Sequence, residues 1–343
     1  MLTQLEEWIN LTKEVPLDPL LPICDPHHHL WDYPDYLPEN LVRESARPTR
    51  HYLVEHFLKD ATDSHNIVET VFIQCGSRYK KDGPKELQPV GETEFVESIT
   101  SRSCSEQFGN IAVAAGIVGF ADLTLGSGVA RVLEAHLTAS NRFRGIRFTT
   151  AWDGISNRNA PDLFSTLKFR EGFAQLKKYN LSFDAWLYFF QLPTLLNLAR
   201  AFPDTTIILD HIGGPFDIGS KTTKIEDVIR KWKNDISKLS TCPNVIVKLG
   251  GLGMPISGFN WHERTPPINS FELAEAMAPY YLYCIEKFGV DRCMFEGNFP
   301  VDKWSYSYTV LWNAFKRIVN GFSPEGRASL FHDTAARIYR LPC

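Results

Sequence analysis

The five residues Asp25-Pro26-His27-His28-His29 follow a short apolar run, Leu20-Leu21-Pro22-Ile23-Cys24. A strand sends successive side chains to opposite faces, so simple alternation predicts that Asp25, His27 and His29 point the same way. Two imidazoles one residue apart at a strand end can share one cation or one substrate oxygen. Neutral imidazole is the commonest metal ligand and the usual acid or base near neutral pH. The bland alternative is a core or surface cluster, but few structural needs call for three consecutive histidines at a strand end.

Further polar residues stand at the ends of other apolar runs. Gln74 closes Val68–Gln74, and Arg147 lies in Phe143–Phe148. Trp186 and Tyr188 end the run that starts at Leu181, and His211 follows Ile207-Ile208-Leu209-Asp210 before Gly213-Gly214-Pro215. Lys248 lies in Val245–Leu249, and Glu296-Gly297-Asn298-Phe299-Pro300 follows Cys293-Met294-Phe295. Gln74 is an amide suited to orienting a substrate oxygen. Arg147 and Lys248 suit an anionic group, although near the inner layers of a barrel they could equally form a structural ion pair, since buried charges require partners. His262, in Trp261-His262-Glu263-Arg264, is a candidate for a substrate lid. His51, His56, His65, His136 and His332 read as surface or internally satisfied residues.

These residues need a frame that brings strand ends together. The runs at 20–24, 68–74, 111–118, 143–148, 181–187, 205–210, 245–249 and 293–296 make eight, most separated by helix-like segments such as 192–200 and 225–232. Near-continuous apolar strands alternating with amphipathic helices predict a parallel sheet covered on both sides. A count of eight favours a closed (β/α)8 barrel, an α/β fold whose strand C-termini converge on one mouth. Residues 1–19 read as an N-terminal extension and 20–343 as one barrel domain. The long connections 76–110 and 250–271 are expected to build the active-site face.

The 343 residues are 44% hydrophobic and 22% charged, the composition of a globular domain with a sizeable core. A net charge of -4 argues against nucleic acid as a partner. Seven cysteines, an odd number without a CxxC pair, predict buried free thiols in a reducing compartment. Charged residues throughout the first twenty, and no 18-residue apolar stretch, predict a cytoplasmic protein that does not enter membranes. Trp304 and Tyr306, read as surface aromatics, leave room for a homo-oligomer.

In their order along the chain, several motifs resemble the amidohydrolase superfamily, specifically the amidohydrolase-related branch of sugar-lactone and pyrone-dicarboxylate lactonases and metal-dependent decarboxylases. They are Asp-Pro-His-His-His-Leu-Trp-Asp (25–32), Phe-Arg-Gly-Ile-Arg (143–147), Leu-Asp-His-Ile-Gly-Gly-Pro (209–215), Val-Lys-Leu-Gly-Gly-Leu (247–252) and Met-Phe-Glu-Gly-Asn-Phe-Pro-Val-Asp (294–302). The resemblance runs from about Ile23 to Tyr339. It implies a TIM-barrel hydrolase with His27 and His29 as the first-strand pair, His211 as the strand-six histidine, and Arg147 and Trp186 against substrate. The chain departs from the family at strand eight, where the usual Gly-Ser-Asp-Trp-Pro is replaced by Gly297-Asn298-Phe299-Pro300 after Glu296. Asn298 carries no ionisable carboxylate. The histidine that metal-dependent members often place after strand five is also missing.

Two mechanisms follow from that departure. In one, His27, His29 and His211 hold a divalent metal, zinc favoured, which would lower the pKa of bound water to about 7. In the other there is no metal, and Glu296, in phase with Asn298, or Asp302 or Asp25, serves as the base; burial raises a carboxylate's pKa toward a useful value. The leading expectation is opening of a small lactone of the sugar-acid or dicarboxylate type. His29 and His211 would polarise the carbonyl, Glu296 or Asp302 would orient water with Asn298 among the catalytic candidates, and Gln74, Arg147, Trp186, Tyr188, Lys248 and His262 would bind substrate. The alternatives are metal-dependent decarboxylation or amide hydrolysis at the same mouth, and a non-catalytic barrel that binds a small acid.

Overall fold

The computed structural model describes residues 2–33, 50–62, 65–101, 111–150, 163–214 and 224–342. Each predicted run is a strand of one eight-stranded parallel sheet: β1 (Ile23–His28), β2 (Ile67–Ile73), β3 (Ala112–Gly119), β4 (Phe143–Thr149), β5 (Ser182–Trp186), β6 (Ile207–Leu209), β7 (Val245–Leu249) and β8 (Cys293–Phe295). The strands pair in chain order from β1 to β8. The remaining seam, β8 to β1, is closed by a bridge between His28 and Phe299. There the Asn298 amide donates to the His27 carbonyl (2.7 Å) and the His29 amide to the Phe299 carbonyl (2.8 Å). The result is the expected (β/α)8 barrel.

The helix predicted at 192–200 spans Leu192–Ala201, with Pro193 in its first turn where a missing N–H costs nothing. The helix at 225 runs on to Leu239 and buries Trp232, Ile236 and Leu239 on one face. The connection read as a long loop after β2 contains a helix, Val90–Thr100. Its buried face carries Glu92 and Thr93 as well as Val90 and Val96, so apolar periodicity alone does not reveal it. Glu92 is buried because it accepts hydrogen bonds from the backbone amides of Cys75 and Ser77 just past β2.

Two apolar cores follow from strand alternation. Outward residues such as Phe72, Phe183 and Phe295 pack under the helices. Inward residues Cys24, Val71, Ile73, Val118, Ile208, Ile246 and Met294 fill the barrel's lower interior, together with Ala335, Tyr339 and Leu341 from the C-terminal segment. The last helix, Thr334–Tyr339, therefore plugs the end of the barrel opposite the mouth. The N-terminal stretch is bound to the body: Trp8 donates to the Arg264 carbonyl (2.7 Å), and Glu14 accepts from the Ser270 amide and from Asn313. Cys24, Cys75, Cys242, Cys284 and Cys293 are buried and form no disulfide with one another, while Cys104 and Cys343 lie outside the described residues. No described helix is long and apolar enough to cross a membrane.

Candidate active site

Above the apolar plug the interior turns polar, and each strand contributes by its phase. Asp184 shares the inward phase of β5 with Trp186, Lys248 that of β7 with Ile246, and Glu296 that of β8 with Met294. On β1 simple alternation fails. Asp25 points outward in phase with Ile23, and a register shift between Asp25 and His28 then turns His27 inward. Asp25 accepts hydrogen bonds from the amides of Gly297 (2.8 Å) and His27 (3.1 Å) and from the Tyr308 hydroxyl (2.8 Å). It is a bracket across the seam, so the expectation that it faces the mouth with His27 and His29 is corrected. His28 also points outward, bonded to Thr70 (2.8 Å) and stacked on Phe57.

A second break in alternation brings His211 in. Asp210 follows Ile208 in phase, so the next residue should turn away. His211 and Ile212 instead adopt left-handed backbone (φ 53° and 50°), which returns the imidazole to the interior. Such conformations in non-glycine residues cluster at functional sites. Gly250 and Gly251 make the space: a Cβ on Gly250 would lie 2.3 Å from Glu296 Cγ, and one on Gly251 2.4 Å from the His211 ring. The Gly-Gly after β7 is thus a packing requirement of the site.

Glu296 is the hub. Its Oε1 accepts from His211 Nδ1 (2.6 Å) and the His211 amide (3.1 Å), and its Oε2 lies 2.7 Å from His27 Nδ1. The two imidazoles stand 4.6 Å apart, centre to centre, and all three residues are buried. Burial, reinforced by the neighbouring Lys248 ammonium, holds His27 well below the ordinary histidine range, so its imidazole is neutral at pH 7. Arg147 Nη1 is 3.5 Å from His27 Nε2, and its Nη2 donates to the Gln74 carbonyl. Trp186 meets His211 edge to face at 4.8 Å, with Tyr188 beside it.

Among the described residues, one group has donor atoms close enough to share a metal ion: His27, His211 and Glu296. The expected set was His27, His29 and His211; here Glu296 stands with two of these. His29 Nδ1 is committed to the Ile73 carbonyl (2.7 Å), and its ring packs 5.0 Å from His27 and against Trp31. The three donors fit a divalent ion chemically. Glu296 Oε2 makes no well-formed hydrogen bond among the described residues despite its burial, and two histidines with one carboxylate are a common ligand set.

Lys248, Asn298 and His262 sit elsewhere than expected. Lys248 is not at the mouth. Its ammonium lies beneath His27, 2.8 Å from Asp184, 3.1 Å from Asp210 and 3.4 Å from His27 Nδ1, so the substrate role is replaced by the ion-pair alternative. Burial alone would lower the Lys248 pKa, but Asp184, Asp210 and Glu296 outweigh it and raise it, and the ammonium persists. Asn298, in left-handed backbone, donates its side-chain amide to Asp302 (2.7 Å), so strict alternation from Glu296 does not hold there. Asp302 also accepts from the Tyr306 hydroxyl (2.7 Å) and the Gly253 amide (3.1 Å), and burial raises it to about 6. Tyr306 is buried, not a surface aromatic. His262 lies in a short turn 3.8 Å from Glu263, and no described contact joins it to His27 or His211. Pro215 lies outside the described residues. Asp184, Asp210 and Tyr339 were missed as site residues; strand phase with Trp186 was the available signal for Asp184.

Comparison with known proteins agrees with this architecture. Residues 24–341 match the amidohydrolase family. Uncharacterized protein y4mH of Sinorhizobium fredii is 36% identical over 330 residues, 93% of this chain and 98% of that protein. L-fucono-1,5-lactonase of Burkholderia ambifaria is 25% identical over 279 residues, 77% of this chain and 87% of its own. A zinc-bound amidohydrolase from Burkholderia multivorans shares the fold with a TM-score of 0.71 at 23% identity, over 93% of this chain and 99% of that one. The chain belongs to the amidohydrolase family, as its histidine motifs and their order around the barrel imply.

Proposed function

We propose that this protein is a hydrolase that opens a small lactone at the C-terminal mouth of its barrel. The observation that carries this reading is the buried Glu296 carboxylate held between His27 and His211, with the Arg147 guanidinium alongside. His27, His211 and Glu296 would hold one divalent ion, zinc by analogy with the Burkholderia multivorans structure. When bound it would polarise the ester carbonyl and acidify water. The lactonase relatives support the substrate class.

The chain's own groups divide the remaining work. Arg147 offers a fixed positive charge beside His27 for the oxyanion or a substrate carboxylate. The Gln74 side-chain oxygen, buried and without a partner among the described residues, can accept a substrate hydroxyl. Trp186 and Tyr188 wall the ring and exclude water. Asp302 is the carboxylate available to take a proton from water. Its raised pKa of about 6 suits a base, and its three hydrogen bonds leave one acceptor site.

The test is a panel of five- and six-membered sugar-acid and dicarboxylate lactones, assayed with zinc and after chelation. Turnover of at least one, lost about 100-fold or more in His211→Ala, is expected. Binding without turnover across the panel would mean a non-catalytic barrel. Full activity in His211→Ala would remove the histidine from the mechanism.

A further inference from the structure

One polar unit of the interior takes no direct part in that chemistry. Lys248, fully buried, links three strands: Asp184 of β5, Asp210 after β6, and His27 of β1. Tyr339 of the C-terminal helix, otherwise part of the apolar plug, sends its hydroxyl up to the same Asp184 oxygen (2.5 Å), and the ammonium lies 5.5 Å from its ring. Burying one ammonium and two carboxylates is expensive, and apolar residues of similar volume are often as stable or more so. The layer just below, Ile208, Ile246 and Met294, shows that this barrel fills its interior with such residues where nothing else is required.

What the charges fix is relative position. Asp210 precedes His211 directly, and its Oδ1 lies 3.8 Å from His27 Nδ1. A single ammonium touching both Asp210 and His27 therefore ties the strand-six histidine to the strand-one histidine from beneath. We propose that Lys248, braced by Asp184 and Tyr339, is a positioning residue that sets His27 against His211, making the C-terminal helix a working part of the mouth. The proposal rests on the reading of His27 and His211 as the reacting pair.

The decisive variant is the double substitution Asp184→Asn, Lys248→Met. It removes one charge of each sign, so the net charge of the layer is unchanged, and it leaves Tyr339 an oxygen to donate to. Crystal structures and kinetics are measured on parent and variant. The expected result is a folded variant with a lowered melting temperature, because buried Asp210 loses its ammonium, with kcat lowered about 10- to 100-fold, KM within about threefold, and a His27 ring displaced from its 4.6 Å contact with His211. A variant that folds, keeps the ring in place and retains kcat within about threefold would reduce the unit to an ordinary structural ion pair and overturn the proposal. Should the double variant not fold, Tyr339→Phe, which removes a single hydroxyl, decides. A roughly 3- to 10-fold fall in kcat with a shifted His27 supports the proposal, and parent-like values of both overturn it. Should the parent open no lactone, the function proposed above fails, and the crystallographic position of His27 alone decides this one.

Discussion

Asp25 and Glu296 are buried carboxylates on opposite sides of the barrel wall, at the same β8–β1 seam. Asp25 points outward and spends both oxygens on Gly297, His27 and Tyr308. Glu296 points inward, and its oxygens face two imidazoles. One joins strands, and the other joins two imidazoles at the mouth. Both are fully buried carboxylates, so the side of the wall decides what each one meets. Asp25 follows inward Cys24 and so points outward, Glu296 keeps the inward phase of Met294, and the register shift after Asp25 turns His27 to the inside.

The comparison breaks most visibly from the inside. Glu296→Ala should abolish lactone turnover by about 1,000-fold or more, the scale of losing a group that acts only on the reacting centre, while leaving the fold intact. Steady-state kinetics beside a thermal melt check it; activity within tenfold of parent would place Glu296 outside the mechanism. From the outside, Asp25→Ala should cost roughly 3 kcal/mol in stability, because two buried amides and a hydroxyl lose their acceptor. Urea unfolding reads this directly, and a cost below about 1 kcal/mol would mean the seam does not depend on the bracket.

A smaller effect sharpens the contrast through pH. His136 is buried in the outer layer, hydrogen-bonded to Thr93 (2.8 Å) and the Phe120 carbonyl (2.9 Å), and burial depresses its pKa to about 4. The unfolded chain takes up this proton near pH 6.5, and the folded protein only near pH 4. Stability therefore falls as pH drops through that window, by on the order of 2–3 kcal/mol from this group. Unfolding free energies at pH 7 and pH 4.5 should differ less in His136→Gln than in the parent. An equal loss in both would assign the acid sensitivity to other groups.

Much of this was legible in the chain. All eight strands follow from short apolar runs, because a strand buried on both faces must be apolar throughout. The helix over Val90–Thr100 was not, since its hidden face accommodates Glu92, whose partners are backbone amides distant in sequence. His27, His211 and Arg147 were named from strand ends, and the structure brings them together with Glu296. Lys248 was placed on the correct strand but at the wrong depth: a long unbranched side chain can lie along the interior, and sequence does not say whether it reaches up or down.

By itself the sequence determined the barrel, the strand ends that converge on the mouth, and the family. Periodicity and motif order encode these locally. Only the tertiary structure decided which of two neighbouring residues faces inward. The shift after Asp25 and the left-handed turn at His211 both overrule the period-two rule, and both depend on contacts across the closed barrel. It also brought the Glu296 carboxylate within reach of His27 and His211, a grouping of residues from three strand ends that no local motif encodes.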